Sequence, residues 1–281
     1  MTHVPHVVCF GAAHWDVVAR ARPGARGPDA PGVVATRPGG VALNVAMALA
    51  SAGLRVSLVC AVGDDAEGRA LLGAAEAAGV DVEGALVYPG AATGRYVAIE
   101  RADGELLAAV ADAATTDSLA PEHLRTERLG AADAWLMDAN LPPPVIRALA
   151  GQTERPPLVA DAVSEAKAAR LRPSLTRLAA LYCNRAEAEA ICATGLNAAR
   201  AAAEALVARG VRRAVVTNGP LPAADAGPHG VVTLRPDQSP IRSVTGAGDA
   251  LIAAHLAAWL CGRRPAEALA EGLAAARARA A

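Results

Sequence analysis

Short apolar runs alternate with longer segments of helical character along most of this chain. Residues 7–10, 56–62, 134–137, 158–160, 181–183, 211–216 and 231–234 are dominated by Val, Leu, Ala and Cys. Runs this short, bounded by Gly, Asp, Asn or Pro, predict strands buried on both faces. Helices are predicted between them at 41–52, after Asp65 as far as Ala78, at 171–178, over the apolar run 251–260 and at 266–280. Strand, turn, helix and strand in this rhythm form right-handed crossover units and a mostly parallel sheet, an α/β fold.

Two regions break the rhythm. Residues 20–38 are rich in Arg, Pro and Gly around one extended piece at 33–37, and read as an excursion from the sheet. Three extended pieces, 86–88, 95–100 and 106–110, then follow one another without helices, the last two joined by the hairpin signal Asp103-Gly104. Together they predict a small second sheet that closes over a site as a lid. The expectation is one domain spanning 1–281, with lid strands drawn from about 17–38 and 86–112.

Composition narrows the function. A formal charge of -1 with no basic block, and aromatics at 2%, argue against nucleic-acid binding through a charged face or a stacking platform. No apolar run approaches a membrane span, and the first ten residues do not resemble a leader. Cys9, Cys60, Cys183, Cys192 and Cys261 are scattered without a CxxC pair, as in proteins kept in a reducing compartment. A cytoplasmic location is expected. Gly11 is not followed by GxGxxG, so a dinucleotide-binding dehydrogenase is poorly supported.

The chemistry gathers at polar residues beside strand ends. Ser243-Val244-Thr245-Gly246-Ala247-Gly248-Asp249 runs into the apolar helix, so its glycine turn sits at a helix N-terminus suited to an anion. Asp249, in the first turn, suits a general base acting on a hydroxyl; it is equally an ordinary helix-start residue. Asp16, past the first strand, reads either as a diol-binding carboxylate or as a turn aspartate. Gly39, Gly40 and Asn44 allow close ligand approach, or make a plain loop-to-helix entry. Asp112 follows the last lid strand, facing the site or solvent. Asn184 and Glu187 form a capping box or order a hydrated magnesium ion, and Thr217 with Gly219 forms a phosphate contact or a turn.

In this order the residues resemble the ribokinase-like (PfkB-type) sugar and nucleoside kinases. Gly39-Gly40 with Asn44, Asn184-x-x-Glu187, Thr217-x-Gly219 and Thr245-Gly246-Ala247-Gly248-Asp249 carry the resemblance from about Val7 to about Gly262. The finer pattern, Asp161-Ala162-Val163-Ser164-x-x-Lys167 with Asp138-Ala139-Asn140 and residues 107–112, is similar to the pseudouridine kinase subfamily. The resemblance implies a three-layer α/β/α sandwich with a β-sheet lid, ATP and Mg2+ as cofactors, and 5′-hydroxyl phosphorylation. Asp249 would be the base, and Gly246, Ala247 and Gly248 the anion cradle. Asp16, Gly39, Gly40 and Asn44 would hold the sugar, with Asp112, Asn140, Ser164 and Lys167 toward the base of the nucleoside. Asn184, Glu187, Thr217, Gly219 and Thr245 would hold the nucleotide, Glu187 reaching Mg2+ through water. Lids pair between subunits in relatives, which implies a homodimer.

Several departures stand out. Ala162 replaces a proline of the subfamily pattern, and Pro220-Leu221-Pro222 follows Gly219 where relatives carry a glycine-bearing hairpin. Ser243 stands where many relatives place an acidic residue, and the sequence ends at Ala281 before a segment that in relatives helps form the adenine pocket and a monovalent-cation site. K+ activation and the adenine pocket are therefore left open. The alternatives are another sugar or nucleoside kinase, such as a ribokinase, and a nucleoside-binding protein without catalysis.

Overall fold

The computed structural model describes residues 3–25, 29–124, 126, 129, 131–239 and 245–280, and in them the apolar runs become one nine-stranded sheet. In chain order the strands are β1 (His6–Phe10), β2 (His14–Ala21), β3 (Gly32–Gly39), β4 (Arg55–Val59), β5 (Ala61–Gly63), β6 (Val80–Asp81), β7 (Leu86–Tyr88) and β8 (Arg95–Glu100). They continue as β9 (Leu106–Asp112), β10 (Ala134–Asp138), β11 (Leu158–Asp161), β12 (Ala180–Asn184), β13 (Ala214–Asn218), β14 (Leu221–Gly227) and β15 (Gly230–Leu234). The helices are α1 (Val41–Ser51), α2 (Ala66–Ala77), α3 (Ala114–Asp117), α4 (Pro143–Gly151) and α5 (Glu165–Ala168). After them come α6 (Arg185–Cys192), α7 (Ala199–Ala208), α8 (Ala247–Leu260) and α9 (Pro265–Ala280).

The large sheet has the order β15-β14-β13-β12-β11-β10-β1-β4-β6, parallel except that β14, next to one edge, pairs antiparallel with both β13 and β15. Alternation within each strand divides the core in two. Val8 and Phe10 pack on the side of α4, α6 and α7, whereas Val7 and Cys9 pack on the side of α1, α2 and α8. Helices on both faces explain why the strands read as continuous apolar runs, and they confirm the three-layer α/β/α sandwich. The chain builds outward from β1 in both directions, so a crevice opens where β1 and β10 lie side by side, at their C-terminal ends.

A separate four-stranded sheet, β3-β2-β8-β9, is the small second sheet expected as a lid. Its extent differs from the expectation. The extended piece at 33–37 lengthens to β3, and it pairs with an unpredicted strand that begins before this region, β2, in a full antiparallel ladder from His14↔Gly39 to Ala21↔Gly32. Leu86–Tyr88 is not a lid strand; it pairs in parallel with Ala61–Gly63, which has broken away from the end of β4. The predicted helix at 171–178 is the 3-10 stretch Ala169–Arg177, containing Pro173. The lid root is tied down by Asp65, which caps α2 by accepting from the Gly68 N–H at 2.6 Å and also accepts from the Thr93 N–H and hydroxyl at 2.8 and 2.6 Å. The Thr93 bonds hold the Asp65 carboxyl down at about 2.

Candidate active site

The site is built at strand ends. Asp138, Asp161 and Asn184 are the last residues of β10, β11 and β12, and register sets Asp138 beside Asp161 and Asn184 beside Thr217. Asp138 is fully buried and accepts from the N–H groups of Ala12, Ala42 and Asn140 at 2.9, 3.0 and 2.9 Å. It thereby pins the turn after β1 and the start of α1 to the end of β10. Gly11 is required here, because a Cβ would stand 2.3 Å from the Asp138 carboxylate. Gly40 is required on the other side of the turn: its φ is +94° and a Cβ would meet the Ala12 carbonyl oxygen at 2.3 Å.

Helix α1 carries Asn44 toward α8, where its side-chain N–H donates to the Asp249 carboxylate at 2.7 Å. Asp249 lies in the first turn of α8. Desolvation pushes its carboxyl up to about 6, against the Asn44 bond, with the Asp138 and Asp16 carboxylates adding to the rise and Arg279 opposing it. The residue before α8, Gly246, is left-handed at φ +78° and no side chain caps the helix. The first-turn N–H groups, including those of Ala247 and Gly248, therefore lack backbone acceptors within the helix. A Cβ on Gly246 would stand 3.1 Å from the Arg279 Nε, so a guanidinium from α9 joins this N-terminus. The site thus combines a cation, the N–H groups of a helix first turn and a raised carboxyl.

A cavity of about 150 Å³ lies beside Asp249 and is lined by Asp161, Asn184, Glu187, Thr217 and Gly248 among others. Asn184 and Glu187 form the capping box, Asn184 N–H donating to Glu187 Oε2 at 2.8 Å and Glu187 N–H to Asn184 Oδ1 at 2.9 Å. Burial raises the Glu187 carboxyl, and burial together with the Glu187, Asp249 and Asp138 charges raises Asp161 well above the ordinary carboxylate range. Three acids around so small a space are relieved by a proton or a cation. Among the described residues no group of three or more His, Cys, Asp or Glu side chains is arranged to ligate a metal directly.

Other expected residues lie near this centre. Asp16 is buried on β2, 3.3 Å from His14 Nδ1 and 3.7 Å from Arg37 Nε, and a Cβ on Gly39 would stand 2.2 Å from its Oδ1. Asn140 accepts from the Lys167 Nζ at 2.6 Å, while Arg170 Nη1 donates to the carbonyls of Ala139, Asn140 and Leu141 at 3.2, 3.0 and 3.3 Å. Ser164 precedes α5 without a side-chain cap bond, after Val163, which is strained at φ +66°. Gly219 is an exposed turn residue at φ +56°, and Thr245 is exposed. Asp112 is not brought to the centre: it is exposed and accepts from the Ala114 N–H at 3.1 Å in its own turn. Ser243 lies outside the described residues.

Sequence reasoning did not single out Asp138 or Asp161 as individual site residues, although both follow its pattern of polar residues at strand ends. Arg279 had no signal, since an arginine in a terminal amphipathic helix reads as surface charge.

Residues 4–280 match the pfkB family carbohydrate kinase. Pseudouridine kinase of Escherichia coli (strain K12) is 29% identical over 278 residues, 96% of this chain and 88% of that protein. A carbohydrate kinase structure from Agrobacterium tumefaciens is 31% identical, with TM-score 0.83 over 97% of this chain and 90% of that one. The ribokinase of Thermotoga maritima, at 20% identity and TM-score 0.84 over 99% and 93% of the two chains, is similar in fold. Among the described residues no helix is long and apolar enough to cross a membrane.

Proposed function

The chain belongs to the pfkB family of carbohydrate kinases, and we propose that its acceptor is pseudouridine, phosphorylated by ATP on the 5′-hydroxyl. One observation carries the chemistry: a carboxyl raised to about 6, bonded by Asn44 at 2.7 Å, lies in the first turn of an uncapped helix. A base whose pKa lies just below neutrality is ionised at working pH yet basic enough to take a proton from a hydroxyl. Asp249 accepts the 5′-hydroxyl proton as the hydroxyl oxygen attacks the γ-phosphorus, whose bond to the β–γ bridging oxygen breaks to release ADP. The N–H groups of Gly246, Ala247 and Gly248 stabilise charge developing on the transferring group, each such donor being worth roughly 3 kcal/mol.

Asp16, Gly39, Gly40 and Asn44 hold the sugar hydroxyls, and Thr217, Gly219 and Thr245 hold the nucleotide phosphates. The donor set suits Mg2+, which keeps most of its waters and takes one or two carboxylates with substrate phosphates. Glu187 would hold it through water, with Asn184 orienting the carboxylate, and the ion would neutralise phosphate charge. Asn140, Ser164 and Lys167 face the nucleobase. The pairing of Lys167 with Asn140 Oδ1 leaves the Asn140 amide N–H groups to meet a nucleobase carbonyl. The choice of pseudouridine is supported by the Escherichia coli pseudouridine kinase relative and by Asp161-Ala162-Val163-Ser164-x-x-Lys167.

The test is ADP release from ATP and Mg2+ with pseudouridine, uridine, ribose or adenosine, beside Asp249→Ala. Turnover confined to pseudouridine and lost in the variant supports the reading. Turnover with ribose or adenosine instead keeps the kinase and removes the substrate, and retention in Asp249→Ala removes the base.

A further inference from the structure

Helix α8 carries Asp249, yet its apolar side chains do little to fix where it sits. Six of its fourteen residues are alanine, and its buried positions spread over more than half of its circumference. Small side chains offer shallow ridges, so sliding or turning such a helix changes few contacts. A buried polar group behaves differently, because its hydrogen bonds are satisfied in one placement only.

His255 is that group. It is fully buried, with Nδ1 2.7 Å from the Tyr182 hydroxyl on β12 and Nε2 3.1 Å from Arg213 Nη2. Asp225 on β14 closes the cluster: it accepts from Arg213 Nε at 2.8 Å and from Arg213 Nη2, and its Oδ2 lies 3.3 Å from His255 Nε2. One turn further along α8, the Trp259 ring lies 5.1 Å below the Arg213 guanidinium. Tyr182 stands two residues before Asn184 and lines the same cavity as Asp249 and Glu187. The Tyr182–His255 bond therefore joins the strand ending at Asn184 to the helix that begins beside Asp249.

We infer that Tyr182 and His255 are positioning residues that hold Asp249 in register with Asn184 and Glu187, through the buried chain Tyr182–His255–Arg213–Asp225. The inference rests on the reading of Asp249 as the base. Apolar side chains of similar volume would keep the helix on the sheet as well or better; the polar chain selects one axial and rotational setting. Misplacing a reacting group by about 1 Å is enough to cost on the order of 100-fold in rate.

Tyr182→Phe removes the hydroxyl and leaves the ring against the cavity. The expected result is a roughly 10- to 100-fold fall in kcat, with KM for nucleoside and ATP changed less than about threefold. His255→Gln gives a fall of the same order, and the double variant is no worse than the poorer single one, because both break one link. A folded Tyr182→Phe with kcat within about twofold of the parent, or a double variant losing the product of the two effects, overturns the inference. If Tyr182→Phe does not fold, His255→Gln is read by the same criterion. Failure of both to fold also overturns it, since the cluster would then hold the fold rather than align the base. Wild-type turnover in Asp249→Ala removes the base assignment, whereas inactive Asp249→Ala beside unimpaired Tyr182→Phe removes the positioning role alone.

Discussion

Replacing Asn44 by leucine tests the electrostatics of the proposed base. The Asn44 side chain donates to Asp249 at 2.7 Å, and this bond counteracts the desolvation that pushes the carboxyl up to about 6. A hydrogen bond to a charged group contributes about 1.5–3 kcal/mol, and one pKa unit corresponds to about 1.4 kcal/mol. Its loss therefore raises Asp249 by about one to two units, to about 7–8. At about pH 6.5 the ionised share falls from roughly three-quarters to between roughly 3% and 25%. The assay is kcat/KM from ADP release between about pH 5.5 and about pH 9, where the acid limb reports the base in the free enzyme. The limb should move alkaline and activity should recover toward high pH. A limb at or below the parent's position refutes the reasoning, and an equal loss at every pH leaves Asn44 as a substrate contact only.

Asp249→Asn should stabilise the protein while abolishing turnover. The carboxyl stands at about 6 in the folded chain against an ordinary 3.8, so the folded state holds its proton more tightly, and stability is lost as pH rises through that window. Above about pH 6 the substitution recovers up to about 3 kcal/mol, and below about pH 4 almost nothing; equal urea midpoints for the two proteins at both ends would sink this. Gly40→Ala should cost about 2 kcal/mol or more, because its Cβ would stand 2.3 Å from the Ala12 carbonyl oxygen, and an unchanged melting temperature would contradict it. The lid leaves Val34 and Val110 at 66% and 70% exposure, an apolar face that a homodimer would cover. Sedimentation should find a dimer in the parent and a monomer in Val34→Asp/Val110→Asp, and a monomeric parent would end the idea.

Local signals carried much of the architecture. The apolar runs sit where the strands do because a strand covered on both faces leaves no position for polar alternation. Asp103-Gly104 marks the β8–β9 turn, and Asn184 with Glu187 forms the box that three-residue spacing on one helix face anticipates. Other features could not be read locally. Residues 86–88 have the composition of a lid strand, but the partner of a strand is chosen by which edge the rest of the chain leaves open, and that edge is β5. Asp112 and Asp138 are each an aspartate at the end of a strand; the surrounding packing exposes the first and buries the second under three N–H donors.

The sequence by itself determined the order and type of most strands of the large sheet, the glycine turn before α8 and the identity of several groups able to do chemistry, Asp249, Asn44 and Glu187 among them, because these depend on neighbours a few residues apart. Tertiary structure alone decided which of those groups meet. Asp249 is raised to about 6 by desolvation and by Asp138 and Asp16, and is opposed by Asn44 and Arg279. Burial and Coulomb interactions depend on distance in space, and folding brings residues 16, 44, 138 and 279 to one carboxyl from widely separated parts of the chain.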